Sequence, residues 1–393
     1  MKENWTYKKL GDCLSYVKNG VNIKQTKGAV GIPITRIETL SGGVFNRDRL
    51  GYANILSAEK YSQNILDDGD ILMSHINSKA YIGRSVLYRK KDDEQIIHGM
   101  NLLRLKVVRS IVLPSYLNIF FQSDYFRDRV AKIRKDAVNQ SSMAISDLVK
   151  ISIPLPPMEE QERIVAELDL LQSVIDKKKA QLDEYDKLAQ SIFYEMFGDP
   201  IDNPKKWEVK KLGEIAKEKL SYGSGASAVQ YNGEIRYVRI TDIKDDGELN
   251  SDKVSPDNYD EKYLLNDGDI LFARSGATVG KTFQYKCKYG KCIYAGYLIR
   301  LIPNINIVLP SYIFGFTKSA YYRSFVAKAQ NAVAQPNINA KQYSDLPIPL
   351  PPLSLQQSFA EKIEAIEHQK ELVKQSLNEV KTLFDSRMDY YFN

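Results

Sequence analysis

Apolar residues alternate with polar ones at intervals of three and four along residues 158–198. The apolar seam consists of Leu168, Leu171, Ile175 and Leu182, and it is interrupted at Lys178. This is the heptad spacing of a helix that packs against another helix. The segment is bounded by Pro157 and Gly198 and contains neither proline nor glycine between them. The pattern predicts a single helix about 60 Å long that is too polar to cross a membrane and requires a partner helix.

A second stretch of the same kind covers residues 353–393 and again follows a proline cluster. Its seam runs through Ile363, Ile366, Val373, Leu377 and Val380. A constant offset of 195 places Pro156 on Pro351 and Leu168 on Ile363. Two long helices at a fixed offset indicate an internal duplication. We expect the two helices to pair antiparallel as a coiled coil, because each globular segment begins where one helix ends and finishes where the other begins.

The segments outside the helices repeat as well, which predicts the order domain, helix, domain, helix. Residues 1–157 form the first globular segment, residues 199–352 the second, and residues 158–198 and 353–393 the helices. The shared motifs are Trp-x-x-Lys-Lys-Leu-Gly near the start, Asp-Gly-Asp-Ile-Leu at 68–72 and 267–271, and Val-Leu-Pro-Ser-Tyr at 112–116 and 308–312. The fold class is therefore predicted as α+β, with two similar mixed domains, two long antiparallel helices and a pseudo-twofold repeat.

Within each globular segment, short apolar runs predict strands and an aromatic-rich stretch predicts a helix. Strands are expected at Ile32–Ile37 and Ile235–Ile240, and again directly after each Asp-Gly turn. One helix is expected at Tyr116–Lys132 and its counterpart at Tyr312–Lys328.

Composition suits a folded protein of the cytoplasm. The 393 residues are 43% hydrophobic and 10% aromatic, enough for two packed domains. The polar N-terminal sequence lacks the features of a signal peptide, and three cysteines do not make a disulfide framework. We therefore expect a reducing cytoplasm.

Charge is unevenly distributed along the chain. The whole sequence carries +6, whereas residues 159–197 and 353–393 carry −5 and −2, which leaves +13 for the globular segments. Basic domains on acidic helices suggest a polyanion bound by the domains and protein partners bound by the helices. Solvated lysines that keep the protein soluble would give the same distribution, so charge alone does not decide between these interpretations.

These motifs resemble the specificity subunit of type I restriction-modification enzymes over essentially the whole chain. The most characteristic marks are Ile153-Pro154-Leu155-Pro156-Pro157 followed by Glu160-Gln161-Glu162-Arg163, the two Gly-Asp-Ile-Leu motifs, and Phe197-Gly198-Asp199-Pro200. The second helix departs from the pattern, with Gln356-Gln357-Ser358-Phe359 in place of Gln161-Glu162-Arg163-Ile164.

The resemblance implies two target-recognition domains, each reading one half of a bipartite site in double-stranded DNA. The helices would act as a spacer and would dock two methyltransferase (modification) subunits. Two restriction (translocase and nuclease) subunits would join for cleavage. S-adenosylmethionine, ATP and Mg²⁺ are then expected in the partner subunits, with no cofactor on this chain.

DNA recognition needs cations for phosphates and flat bidentate groups for base edges. Candidate DNA-contacting residues lie in three places: in the loops after the Gly-Asp-Ile-Leu strands, at the ends of two matching strands, and in the segments before the proline clusters. In the first half they are Arg36, His75, Asn77, Lys79, Arg84 and Gln140. In the second half they are Arg239, Arg274, Ser275, Thr278, Lys281, Gln335, Asn337 and Asn339.

Signals of catalysis are weak in this sequence. Gly276–Thr282 resembles a phosphate-binding loop but is one residue too short between its first glycine and the Gly-Lys pair. Three isolated histidines and three cysteines give no zinc spacing and no catalytic triad. We therefore expect neither a catalytic residue nor a metal site. The alternative to a DNA-specificity subunit is a coiled-coil scaffold that binds only proteins.

Overall fold

The computed structural model describes residues 4–137, 140–331 and 336–393. The chain divides into two compact units, and each contains one globular domain with parts of both long helices. Unit 1 comprises Met1–Lys177 and Leu377–Asn393, and unit 2 comprises Lys178–Ser376.

The first half alternates short strands with short helices before the first long helix. The strands are β1 (Thr6–Lys9), β2 (Leu14–Asn19), β3 (Ile71–Ser74), β4 (Ile76–Asn77), β5 (Ser85–Leu87), β6 (Leu102–Val107), β7 (Ser141–Ser142) and β8 (Ser152–Leu155). The helices are α1 (Pro114–Phe120), α2 (Asp124–Ile133), α3 (Ile145–Leu148) and α4 (Met158–Phe197).

The second half repeats this order with additional strands. Its strands are β9 (Glu208–Lys211), β10 (Ser221–Tyr222), β11 (Ala228–Gln230), β12 (Arg236–Val238), β13 (Val254–Pro256), β14 (Ile270–Ala273), β15 (Thr282–Gln284), β16 (Cys292–Tyr294), β17 (Leu298–Leu301) and β18 (Pro347–Leu350). Its helices are α5 (Pro310–Phe316), α6 (Ala320–Asn331), α7 (Ala340–Ser344) and α8 (Leu353–Phe392).

Each domain is built on an antiparallel four-stranded sheet, in the order β2-β6-β3-β5 in the first half and β10-β17-β14-β15 in the second. The first strand of each domain also pairs with the strand before the proline cluster, β1 with β8 and β9 with β18. The two ends of each domain therefore meet at the start of a long helix.

The Gly-Asp-Ile-Leu motif closes a turn and places a carboxylate inside the sheet. Gly69 and Gly268 adopt φ angles of 88° and 89°, a left-handed conformation that glycine adopts without strain. The following carboxylates are buried and paired with arginines on the neighbouring strand. The Asp70–Arg104 and Asp269–Arg300 contacts are both 2.6 Å long. Burial is the largest influence on both carboxyls, and it raises the pKa of each.

The antiparallel arrangement of the long helices is confirmed within each unit. In unit 1, the start of α4 and the end of α8 share a core that contains Leu168, Met388 and Phe392. In unit 2, Phe193 and Phe197 near the end of α4 contact Phe359 near the start of α8, with ring centroids 5.8 and 5.1 Å apart.

Three elements predicted from the sequence differ from the structure. Residues 32–37 form no strand, and Ile34 makes only isolated bridges to Gly51 and Ile97. The helix expected at Tyr116–Lys132 is split into α1 and α2, because the Ser123 side chain accepts a hydrogen bond from the Phe126 N–H and starts a new helix. The stretch Tyr312–Lys328 is split in the same way, into α5 and α6.

Candidate nucleic-acid interface

In the second domain, the loop after β14 lies against the segment that precedes α7. Ser275 forms a β-bridge with Asn337, and the Gly276 N–H donates to the Pro336 carbonyl at 3.1 Å. The Ile338 N–H donates to the Arg274 carbonyl at 2.8 Å. Two separate sequence segments, each proposed to contact DNA, are thus joined into one surface.

Arg274 is the cation at the centre of this surface. Its Nε donates to Asn337 Oδ1 at 3.2 Å, and its guanidinium carbon lies 4.8 Å from the centre of the Tyr222 ring. Tyr222 is itself fixed, because its hydroxyl accepts a 3.0 Å hydrogen bond from the Ala340 N–H. Tyr297 lies on the same surface with 63% exposure, and its carbonyl accepts from the Arg274 N–H at 3.1 Å.

Several other candidates of the second half are engaged inside the domain. Arg239 binds the buried Asp242 through two nitrogens, at 3.1 and 2.8 Å. Lys281 contacts Asp245 at 2.8 Å and also donates to the Ile243 carbonyl.

The remaining second-half candidates serve mainly local structure. Thr278 donates to the Ser275 carbonyl, and the Asn339 side chain caps α7 by accepting from the Gln342 N–H at 2.9 Å. Gln335 lies outside the described residues. A direct DNA contact by any of these side chains stays a prediction.

The first domain brings together the corresponding pair of segments. Strands β4 and β7 pair, with Asn77 opposite Ser141, so the exposed Gln140 lies beside the loop that carries Asn77. Lys79 is 3.5 Å from Asp136. Hydrogen bonds from Arg134 and then Ser141 lower the pKa of Asp136 to about 2, so this carboxylate stays charged beside Lys79.

The other first-half candidates differ in how accessible they are. Arg84 is exposed and stacks 4.1 Å from the centre of the Tyr81 ring. Arg36 is exposed beside Glu38, at 3.4 Å. His75 is only 7% exposed, and burial lowers its pKa, so it is neutral at pH 7. Asn77 is half-buried, donates to the Ser74 hydroxyl at 3.1 Å and accepts from the Ser78 N–H at 2.7 Å. The exposed candidates of the loops in this half are Lys79, Arg84 and Gln140.

Comparison with known proteins identifies the family. The sequence profile described as "Type I restriction modification DNA specificity domain" matches residues 2–184 and again residues 204–382. The chain belongs to this family. The two matches correspond to the two halves of the repeat, and the chain is a specificity subunit of the type I restriction-modification class, whose catalytic steps lie in partner subunits.

Individual relatives match over nearly the full chain. The putative type I restriction enzyme MjaX specificity subunit of Methanocaldococcus jannaschii is 30% identical, over 96% of this chain and 90% of the relative. The StySPI specificity subunit of Salmonella potsdam is 23% identical, over 90% and 79%. The crystal structure of a type I restriction-modification S subunit from M. genitalium has the same fold, with a TM-score of 0.58 at 14% identity over 98% of this chain and 95% of that one.

The predicted seam residues of the two long helices of this specificity subunit are all buried or half-buried. Leu168, Ile175, Ile366, Val373 and Leu377 are buried, and Leu171, Leu182, Ile363 and Val380 are half-buried. The sequence interpretation missed the two buried aromatic residues near the end of α4, Phe193 and Phe197, which contact the second domain at Tyr312.

One buried glutamine connects each domain of the specificity subunit to a long helix, a role that the sequence alone did not indicate. Gln161 accepts from the Leu113 N–H at 2.9 Å and donates to the carbonyls of Ile111 and Pro156. Gln356 makes the same three bonds in the second half, to Leu309, Ile307 and Pro351. Both side chains have 0% exposure.

The sequence also did not indicate the aromatic residues of the candidate interface. Tyr81, Tyr222 and Tyr297 are 45%, 42% and 63% exposed beside the predicted cations. Tyr81 is only three residues from Arg84, whereas Tyr222 and Tyr297 are brought close to Arg274 by the fold. Among residues 4–137, 140–331 and 336–393, no helix combines the length and apolar character of a membrane span.

Proposed function

We propose that each globular domain of this chain reads one half of a bipartite target in double-stranded DNA, while α4 and α8 set the gap between the halves. The observation that supports this most directly is that the two domains share the same buried scaffold but carry different side chains in the loop after the Gly-Asp-Ile-Leu strand. The buried Asp–Arg pair and the buried glutamine recur in both domains. At an offset of 199, which superposes Asp70 and Asp269, His75 in one loop corresponds to Arg274 in the other.

The charge distribution agrees with this role. The helical segments carry −5 and −2, and the remaining +13 belongs to the two domains. Cations that bind phosphates fix the position of a protein on the duplex, and amide and guanidinium groups distinguish bases. Exposed Lys79 and Arg84 suit the first task, and Asn77, Gln140, Arg274 and Asn337 suit the second.

We further infer that two methyltransferase subunits dock on the outward faces of the helices. Leu188 and Leu383 are 46% and 48% exposed and occupy equivalent positions at the offset of 195. Other apolar side chains are also exposed on these helices, among them Leu170, Leu372 and Tyr390, but none of these three has a large apolar equivalent exposed on the other helix. A duplicated surface suits two copies of one partner. Two restriction subunits would join for cleavage, and S-adenosylmethionine, ATP and Mg²⁺ would act in these partners, in the cytoplasm.

The docking proposal is tested by Leu188→Glu and Leu383→Glu in a complex reconstituted with the methyltransferase subunit. Native mass spectrometry should show loss of one bound copy for each single change and of both for the double change. Gln181→Glu, at an exposed position of α4, is the matched control and should retain both copies. Retention of two copies by the double variant would place the docking surface elsewhere.

The function itself is tested by selecting bound sequences from randomised duplex DNA with the methyltransferase subunit present. We expect a motif in two parts with a fixed, unspecified gap. A single continuous motif would contradict the division between two domains. Binding without any preferred sequence would instead favour the alternative, a coiled-coil scaffold without sequence-specific DNA binding.

A further inference from the structure

Arg274 is held in one orientation by two neighbours. Asn337 accepts from Nε, and the guanidinium carbon lies over the Tyr222 ring, 4.8 Å from its centre. Among the residues that the structure describes, the two terminal nitrogens of Arg274 have no recorded hydrogen-bond partner. The side chain therefore presents a flat pair of N–H donors whose direction is set before any ligand arrives.

Such a pair matches one base edge in particular. In the major groove, guanine offers two adjacent acceptors, N7 and O6, and a bidentate arginine is their commonest partner. Adenine presents a donor beside its N7 acceptor, so it satisfies only one of the two arginine nitrogens. We propose that Arg274 reads a guanine in the half-site bound by the second domain, with Tyr222 and Asn337 as its positioning residues. This proposal rests on the proposed function and adds the identity of one base.

Preorganisation distinguishes this role from a simple phosphate contact. A phosphate can be held by a flexible cation, and this surface offers one in Lys341, whose side chain is 86% exposed and pairs with Asp345 at 3.3 Å. The hydrogen bond to Asn337 and the contact with the Tyr222 ring restrict the rotamers of Arg274 already in the folded protein. Less conformational entropy is therefore lost when Arg274 binds a base of defined geometry. A side chain restrained in this way suits a base edge, whose acceptors have fixed positions, better than it suits a phosphate.

The fold does not require an arginine at this position. The equivalent residue of the first domain is His75, which is 7% exposed, and the same strand and turn form around it. The Nδ1 atom of His75 is buried and has no partner among the described residues. Arg274 and its two supporting residues are thus a feature of the second domain alone, as expected of a group that distinguishes one half-site from the other.

The test uses the full chain with its methyltransferase subunit and duplex libraries randomised at the second half-site. Arg274→Ala should reduce the preference for guanine at one position by about 10- to 100-fold, the range for losing a bidentate base contact. Arg274→Lys should lose most of the same preference, because an ammonium group does not reproduce the two parallel bonds. The first half-site should be read unchanged, which also shows that the variant is folded.

Variants of the two positioning residues, together with a control variant, test how Arg274 is held. Asn337→Ala and Tyr222→Ala should lower the guanine preference at the same position by a smaller factor, while Tyr222→Phe, which keeps the ring, should retain most of it. Lys341→Ala removes a nearby exposed cation and should leave every base preference as it was.

Two outcomes would overturn the inference and leave the proposed function intact. If Arg274→Ala weakened binding to all sequences equally and reduced the salt slope by about one charge, Arg274 would be a phosphate contact. If it changed neither affinity nor preference, this loop would lie outside the interface. The absence of any sequence preference in the unaltered complex would instead contradict the proposed function.

Discussion

Lys370 is a charged residue inside the apolar seam of the helix pair, and its replacement tests what that charge contributes. Its side chain is 8% exposed, with Nζ 2.7 Å from Asp186 Oδ1 and 3.2 Å from Glu367 Oε1. Burial acts to lower the pKa of Lys370, but its two carboxylate partners outweigh that effect and raise it. At the offset of 195 the equivalent residue is Ile175, which is 4% exposed in the same kind of seam.

We expect Lys370→Ile to be neutral or to stabilise the protein by up to about 2 kcal/mol. Removing an ammonium group from water costs several kcal/mol, and apolar substitutes for buried ion pairs are often neutral or stabilising. Asp186 is 49% exposed and regains water when its partner is lost. In contrast, Asp186→Ala leaves a buried cation with only Glu367, so we expect a loss of about 1–3 kcal/mol. Once residue 370 is isoleucine, Asp186→Ala should cost little.

The assay is urea unfolding of the full chain, followed by far-UV circular dichroism because the two 40-residue helices dominate that signal. Lys381→Ile, at an exposed position of α8, is the matched control and should change the free energy of unfolding by no more than about 0.5 kcal/mol. If Lys370→Ile cost more than about 2 kcal/mol while Asp186→Ala cost nothing, the lysine would contribute through its packing, and the reasoning from desolvation would be refuted.

Three further predictions concern the domain anchors, pH and the spacer. Gln161→Leu and Gln356→Leu should each lower the free energy of unfolding by about 2–4 kcal/mol, since each leaves buried backbone groups unpaired; urea unfolding measures this. Burial lowers the pKa of His98 to about 4, so protonation favours the unfolded chain. Stability should therefore fall by up to about 3 kcal/mol as pH drops from 6.5 towards 4, and His98→Gln should flatten that part of the pH profile. Inserting four residues at Lys178 should lengthen α4 by about 6 Å and the preferred gap by one or two base pairs, as read by methylation-site mapping. An active insertion variant that kept the original gap would show that the helices do not measure it.

The long helices could be located from the sequence because their determinants are local. The seam spacing, the proline clusters and Gly198 together define both helices, and Gly198 adopts a φ of 79° directly after α4. The short elements depend on contacts with distant residues. Ile34 is bridged to Gly51 and Ile97 and is fully buried without belonging to a strand, so an apolar run alone predicted the wrong structure there.

The candidate site was predictable at the level of loops and less so at the level of side chains. The loop after β14 and the segment before α7 were each chosen from the sequence, and the structure brings them together. Lys281 was chosen because it is a cation in that loop, yet its contact with Asp245 depends on a loop 36 residues earlier in the chain. The support of Arg274 by Tyr222 is equally non-local. The sequence therefore indicated the loops, whereas their assembly into one surface and the roles of single residues needed the structure.

Duplication makes the apolar seams of the two helices similar, so apolar packing alone distinguishes poorly between α4 pairing with α8 and either helix pairing with its own copy. The ion pairs are not duplicated. In unit 1, Arg387 contacts Glu167 of α4, and in unit 2 Lys370 contacts Asp186 of α4. Each pair thus takes its cation from α8 and its carboxylate from α4.

Pairing of α8 with a second α8 would replace both carboxylates by lysines. At the offset of 195, Glu167 corresponds to Lys362 and Asp186 to Lys381. Arg387 would then face Lys362, and the buried Lys370 would face Lys381, which sets like charges together where one of them has little water. Charged residues that weaken a coiled coil in one arrangement often specify it against another. On this argument the cost of burying Lys370 is offset by specificity, because it favours the α4–α8 pair on which the placement of two different DNA-reading domains depends.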